Sequence, residues 1–279
     1  ITVAVCDRIR SHPLFYGSNN GKFYIADRAL KLKNILGNTS LNKKAATCLM
    51  MSGYAYENYT IYENLYQLPA GYALKVNNNN LRSDITRYYT YSPWKSKEYD
   101  LNHPKKELSD VMLNMYEKLI QSIDGRSICI SLSAGLDSRA IVSGLHHLGY
   151  KNVKCFSYGL QNNYEAAAGK KIAEKLNYPY YFIKKTPAIM RDSLHSDEYK
   201  EFIQYADTCA STPPAHQFYP VKTLKEVGFV SEEDVFINGY SGDFLTGGSI
   251  TQKIKNASLF DASNRKQNIL QHIISKHYS

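Results

Sequence analysis

The run Ser133-Ala134-Gly135-Leu136-Asp137-Ser138 combines small residues, hydroxyls and one carboxylate. Small residues let backbone N–H groups approach an anion without a side chain between them. The run Arg126-Ser127-Ile128-Cys129-Ile130 before it reads as a buried strand, and the apolar spacing of 140–148 after it reads as a helix. A loop in that setting leaves the N–H groups of the helix start unpaired and adds the positive end of the helix dipole, which suits a phosphate. Asp137 places a carboxylate beside it, where Mg²⁺ would sit. No Gly-Lys-Ser/Thr follows, so the loop is not of the Walker type. The plain alternative is a small-residue strand-to-helix turn with an exposed Asp.

A second stretch has the same character. Asn238-Gly239-Tyr240-Ser241-Gly242-Asp243 follows the strand candidate 234–237 and again joins small residues to one carboxylate. Mg²⁺ on a triphosphate commonly takes only one or two protein carboxylates, so Asp137 and Asp243 suffice as its protein ligands. A third stretch, Ser157-Tyr158-Gly159, ends the strand candidate 153–157. Tyr240 carries a phenol that titrates near 10 when free, so acting as a general base requires a neighbour that takes its proton. Packing over a nucleotide or substrate is the other use of that ring.

These loops need a frame that brings strand ends together. From Pro104 onward, helical and strand patterns alternate: 105–123 is amphipathic, and helices at 164–176, 198–206 and 216–227 separate strands at 153–157, 180–183 and 234–237. That alternation implies a parallel sheet covered on both faces, with ligands beyond the carboxyl ends of its strands. The earlier part is β-rich. Strands are expected at 2–6, 13–17 and 22–26, the last two joined by a Ser18-Asn19-Asn20-Gly21 turn, and helices at 29–35 and 41–52. Segments 74–76 and 81–83 form a second hairpin around four asparagines. The expected organisation is a first domain over 1–92, a linker over 93–104 and a second domain over 105–279.

Composition narrows the function classes. The chain has 279 residues, 43% hydrophobic and 21% charged, which are globular values with room for two domains. No run of 18 apolar residues suggests a membrane span, and residues 1–6 are too short for a signal peptide. The five cysteines are scattered and lack CxxC spacing, as expected of reduced thiols in a cytoplasmic protein. The net charge of +9 is spread over lysine pairs, which favours attraction for an anionic ligand such as ATP over a nucleic-acid surface. The 24 tyrosines do not alternate with basic residues as a base-stacking platform would require.

Six segments, in the family's order along the chain, resemble the asparagine synthetase family. Asp7-Arg8 to Pro13-Leu14-Phe15-Tyr16 is similar to the DRxGxxPLYY segment of its glutaminase domain, and 60–72 to TIYxxIxxLPPGH. Residues 133–138 resemble SGGLDS with Ala134 for the middle glycine, and 153–159 the second ATP strand. Residues 239–248 resemble GEGxDELFGG; the helix at 165–176 is similar to E-x-x-A-R-x-V-A-x-x-L. The resemblance implies an Ntn-type α+β glutaminase-like part followed by an α/β pyrophosphatase-loop domain of the adenine nucleotide alpha hydrolase-like kind. It implies a ligase that activates a carboxylic acid as its adenylate, using ATP and Mg²⁺, with glutamine or ammonia as nitrogen donor; it admits a homodimer. Carried over by position, Ser133, Ala134, Gly135, Leu136, Asp137 and Ser138 bind pyrophosphate. Ser157, Tyr158 and Gly239 lie near the nucleoside, and Asp137 and Asp243 hold the metal. The family's N-terminal Cys nucleophile has no match, since residue 1 is Ile1 and Cys6 lies outside the motif; the chain reads as a fragment of a longer protein. Tyr240 replaces an acidic residue and resembles β-lactam synthetases, where a tyrosine pairs with a later Glu as the base. Amidation of a sugar acid, a ring-closing reaction and a non-catalytic remnant are the alternatives.

Overall fold

The computed structural model describes residues 1–37, 40–92, 104–240, 242, 264 and 267–271. The expected linker at 93–104 lies almost wholly outside these residues. By proximity of Cα atoms the chain forms two compact units. One holds Ile1–Ser96 and Asp197–Ala215, the other Lys97–Ser196 and His216–Asp261.

The first unit contains β1 (Thr2–Val5), β2 (Phe15–Asn19), β3 (Lys22–Ala26), α1 (Ala29–Leu36), α2 (Lys43–Ser52), β4 (Leu65–Gln67), β5 (Tyr72–Val76) and β6 (Ser83–Arg87). Its strands form two antiparallel three-stranded sheets, ordered β1-β5-β6 and β3-β2-β4. Asn20 and Gly21 join β2 to β3 with φ of 49° and 67°, the left-handed pair that a two-residue hairpin turn needs. Side chains alternate across β2. Phe15 packs with Leu32, Leu36 and Leu65 against α1, while Tyr16 joins Cys6, Leu68, Leu74 and Val76 in a second core. Asp7 builds the turn after β1. Its carboxylate accepts the backbone N–H of Ile9 (3.0 Å), Ser11 (2.8 Å) and His12 (3.3 Å), and the Ser11 hydroxyl at 2.9 Å.

The second unit begins with α3 (Pro104–Ile123), β7 (Ile128–Ser131), α4 (Leu136–His147), β8 (Val153–Gly159), α5 (Tyr164–Lys175), β9 (Tyr180–Lys184) and α6 (Pro187–His195). Next comes α7 (Asp197–Ala206), which with 207–215 belongs to the first unit; α8 (Ala215–Glu226) and β10 (Val235–Ile237) complete the second. The sheet is fully parallel, ordered β10-β7-β8-β9, as the strand–helix alternation predicts. One face buries Ile128, Ile130, Val153 and Cys155 with Val142, Leu145 and Ala173 from α4 and α5. The other buries Cys129, Phe156 and Ile183 with Leu224 of α8 and Val230. Apolar residues on both faces explain why the strands read as continuous rather than alternating runs. Each fully buried Leu or Ile here contributes about 1.5–3 kcal/mol.

Two differences from the sequence expectation bear on the site. Helix α4 starts at Leu136 rather than near Ala140, so Asp137 and Ser138 lie in its first turn and only 132–135 form loop. Helix α6 is absent from the sequence expectation, although its start carries readable signals. Thr186 caps it by accepting the Ile189 N–H, and Pro187 pre-sets its first turn.

Candidate active site

The loop from β7 to α4 is braced by its own hydroxyls. Buried Ser138 accepts the Ser133 N–H at 3.2 Å, and the Ser133 and Ser138 hydroxyls lie 3.2 Å apart. Ser133 Oγ accepts the Gly135 N–H at 3.1 Å, and Arg139 Nε donates to the Gly135 carbonyl at 3.1 Å. Gly135 is the N-cap of α4 with φ −64° and ψ 157°, and no side chain caps the helix. The first N–H groups of α4 therefore stay available to an anion, reinforced by the helix dipole. Leu136 extends from this first turn and is 74% exposed.

The turn after β10 closes over Asp137. A Cβ built on Gly242 would lie 2.2 Å from Asp137 Oδ1, and one on Gly239 2.8 Å from Asp137 Cβ. The Gly242 N–H donates to the Gly239 carbonyl at 2.9 Å and keeps the turn tight. Only residues without a side chain fit there, so the two loops identified in the sequence do meet, at Asp137. Among the described residues nothing donates a hydrogen bond to the Asp137 carboxylate. Asp243 and Ser241 lie outside the described residues.

Ser157 is buried, and its hydroxyl donates to the Leu132 carbonyl, tying β8 to the loop. Gly169 of α5 makes room for that contact; a Cβ there would lie 2.7 Å from both Leu132 O and Ser157 Oγ. Ser157 thus braces the loop from beneath. Tyr158 points to the other side of β8. Together with Ser131, Phe156, Pro220, Phe236 and Tyr240 it lines a cavity of about 70 Å³ at the carboxyl ends of β7, β8 and β10. Burial, then the charge and hydrogen bond of the neighbouring Tyr240 hydroxyl, pushes the Tyr158 phenol up to about 12. Lys185 Nζ lies 5.1 Å above the Tyr158 ring, and its own burial lowers its pKa.

Tyr240 is 58% exposed, and its N–H is held by Asn238 Oδ1 at 3.2 Å. Its hydroxyl lies 2.8 Å from Nε2 of His216, in the first turn of α8. Sequence reasoning missed His216 and Lys185. Neither has a spacing signal, because His216 is 24 residues from Tyr240 and Lys185 27 residues from Tyr158.

Cys6 is 1% exposed, and burial, with the neighbouring Asp7 charge second, raises its thiol pKa. A raised pKa disfavours the thiolate a nucleophile needs.

A sequence profile of the asparagine synthase family matches residues 120–277, more than half of the chain. The chain belongs to the asparagine synthase family. The matched range includes the β7–α4 loop, the end of β8 and the turn that covers Asp137. Its mixed α/β unit with a parallel sheet fits an adenine nucleotide alpha hydrolase-like fold. A Methanocaldococcus jannaschii protein assigned as asparagine synthetase [glutamine-hydrolyzing] 2 is 22% identical over 257 residues, 88% of this chain and 46% of that protein. The chain therefore spans about half the length of this curated relative. An NH3-dependent NAD synthetase from Campylobacter jejuni superposes with a TM-score of 0.34 at 13% identity, covering 51% of this chain and 59% of that one. Among the described residues, no helix is long and apolar enough to cross a membrane.

Proposed function

We propose that the second unit is the adenylating part of an ATP-dependent carbon–nitrogen ligase. It activates a carboxylate as its adenylate, releases pyrophosphate and passes the acyl group to an amine. The observation that carries this reading is the Asp137 carboxylate, which accepts no hydrogen bond among the described residues and is flanked by Gly239 and Gly242 beside the uncapped start of α4. On this reading the Ala134 N–H and the first N–H groups of α4 hold the phosphate oxygens. Ser133, Ser138 and Arg139 keep the loop in shape, and Ser157 anchors it to β8. Exposed Leu136 and the Tyr158 end of β8 supply surface for the nucleoside, with Gly239 close by. Family membership and the glycine-lined space at Asp137 fit Mg²⁺, with Asp137 and Asp243 as its protein ligands. Bound there, Mg²⁺ would neutralise charge on the phosphate oxygens. Tyr240, facing the strand-end opening, is the candidate base for the incoming amine.

The whole-protein reading is a cytoplasmic enzyme using glutamine or ammonia and a small carboxylic acid. A ring-closing ligase is the second reading, favoured by a hydrogen-bonded tyrosine at position 240. The test is ATP–pyrophosphate exchange over a panel of carboxylic acids that begins with L-aspartate. Exchange dependent on one acid, with AMP and pyrophosphate as products, is expected. ADP and phosphate as products would overturn the adenylate reading.

A further inference from the structure

We infer that His216 is the proton acceptor of Tyr240, making the two residues a relay for the amide-forming step. The inference rests on the adenylate reading above and extends it to a residue outside every motif of the sequence. His216 Nε2 and Tyr240 Oη are 2.8 Å apart, and their rings meet edge-on with centroids 5.9 Å apart. Both groups are held from behind. Asn238 Oδ1 fixes the Tyr240 backbone, and His216 sits on the first turn of α8, which buried Pro220 anchors in the chain's second unit. Both side chains are also exposed, so Tyr240 can face a substrate and His216 can release a proton to water.

The chemistry requires such a partner. A phenol with an ordinary pKa near 10 is a poor base at neutral pH, whereas an imidazole is matched to it. In the proposed step the amine nitrogen attacks the acyl-adenylate carbonyl carbon. A C–N bond forms, the acyl carbon–oxygen bond breaks and AMP departs with that electron pair. The proton lost from nitrogen goes to Tyr240 Oη as the phenol proton passes to His216 Nε2. The imidazolium then gives its proton to solvent. His216 acts only through Tyr240, so it is a positioning and proton-accepting partner rather than a group that touches the reacting atoms.

The test compares the parent chain with His216→Ala, Tyr240→Phe and the double variant, using L-aspartate or the acid that best supports exchange. Exchange reads adenylation alone. Amide formation from ammonium chloride reads the full step, and hydroxamate formation from hydroxylamine, a stronger nucleophile whose N–H proton can be lost to water, depends far less on the relay. His216→Ala should slow amide formation roughly a hundredfold, within the span of a general base, and leave exchange and hydroxamate formation within about twofold. The double variant should be no slower than Tyr240→Phe, and added imidazole should restore part of the His216→Ala rate. Equal loss of exchange and amide formation, additive losses or no loss would each overturn the relay.

A second measurement works even where no acid supports exchange. Nitrogen-15 spectra of the imidazoles should show neutral His216 carrying its proton on Nδ1, with Nε2 accepting from the phenol, and Tyr240→Phe should shift the Nε2 signal. A proton on Nε2 of neutral His216 would overturn the relay whatever the fate of the adenylate reading.

Discussion

Two aspartates at strand ends show how one residue type serves opposite purposes. Asp7 follows β1 in a short turn and Asp137 follows β7 in the first turn of α4, each with hydroxyl neighbours. The Asp7 carboxylate is spent on its own turn: four donors from Ile9, Ser11 and His12 hold it well below the usual carboxylate range. At Asp137 the local hydroxyls bond to each other and to backbone N–H groups instead, and two glycines clear the space around the carboxylate. A carboxylate saturated by backbone donors shapes a turn. One left unsaturated in an enclosed space beside a helix start is available to a cation and the anion it carries.

The largest effect that would break this comparison comes from Asp137→Ala. ATP–pyrophosphate exchange should fall roughly 10²–10³-fold, the usual cost of losing one preorganised charge at a reacting phosphate. Calorimetric titration should show the matching loss of Mg²⁺–ATP affinity. Equal affinity in variant and parent would make Asp137 a turn residue like Asp7. Gly242→Ala should have an intermediate effect, because its Cβ would lie 2.2 Å from Asp137 Oδ1 and displace the carboxylate. Exchange about tenfold slower with an unchanged circular-dichroism spectrum is expected, since a displaced charge keeps part of its Coulomb attraction. An unchanged rate would show that the carboxylate position is not critical.

Asp7→Asn should leave exchange untouched and change only the acid limb of stability. Because the folded pKa of Asp7 is depressed, its contribution is complete above the unfolded value, about 3.9, and is lost as pH falls below it. Thermal melts between pH 2 and 6 should show that slope in the parent and a shallower one in the variant. Parallel profiles would show that the turn does not depend on the charge. The smallest effect concerns Cys6: a glutamine-analogue affinity label should leave it unmodified in native protein, and rapid labelling there would contradict its burial.

Much of the molecule was readable from local sequence because its causes are local. Asn20-Gly21 specifies a hairpin by its φ preference, and the apolar runs at 128–130 and 153–156 specify strands covered on both faces. The pairing of the two Gly-rich loops was readable as well, because parallel strands deliver their carboxyl ends to one side of the sheet.

What the residues of this chain determine by themselves is the alternation of elements, the parallel sheet and a small-residue strand-to-helix loop followed by one carboxylate. Tertiary structure alone decided which polar atoms remain free. Ser157 looked like a nucleoside contact, yet its hydroxyl turns inward to Leu132 because α5 approaches through Gly169. The start of α4 at Leu136 placed Asp137 in the helix rather than before it. The segment Asp197–Ala215 joins the first unit although it is enclosed in sequence by the second. His216 came to Tyr240 because α8 crosses back over the sheet before β10, a path set by the burial of Leu224 and Val230 against Phe156 and Ile183. Patterns of period two or 3.6 report which side of an element is apolar. Which distant side chains then meet depends on how the elements cross, and that is settled only when the cores close.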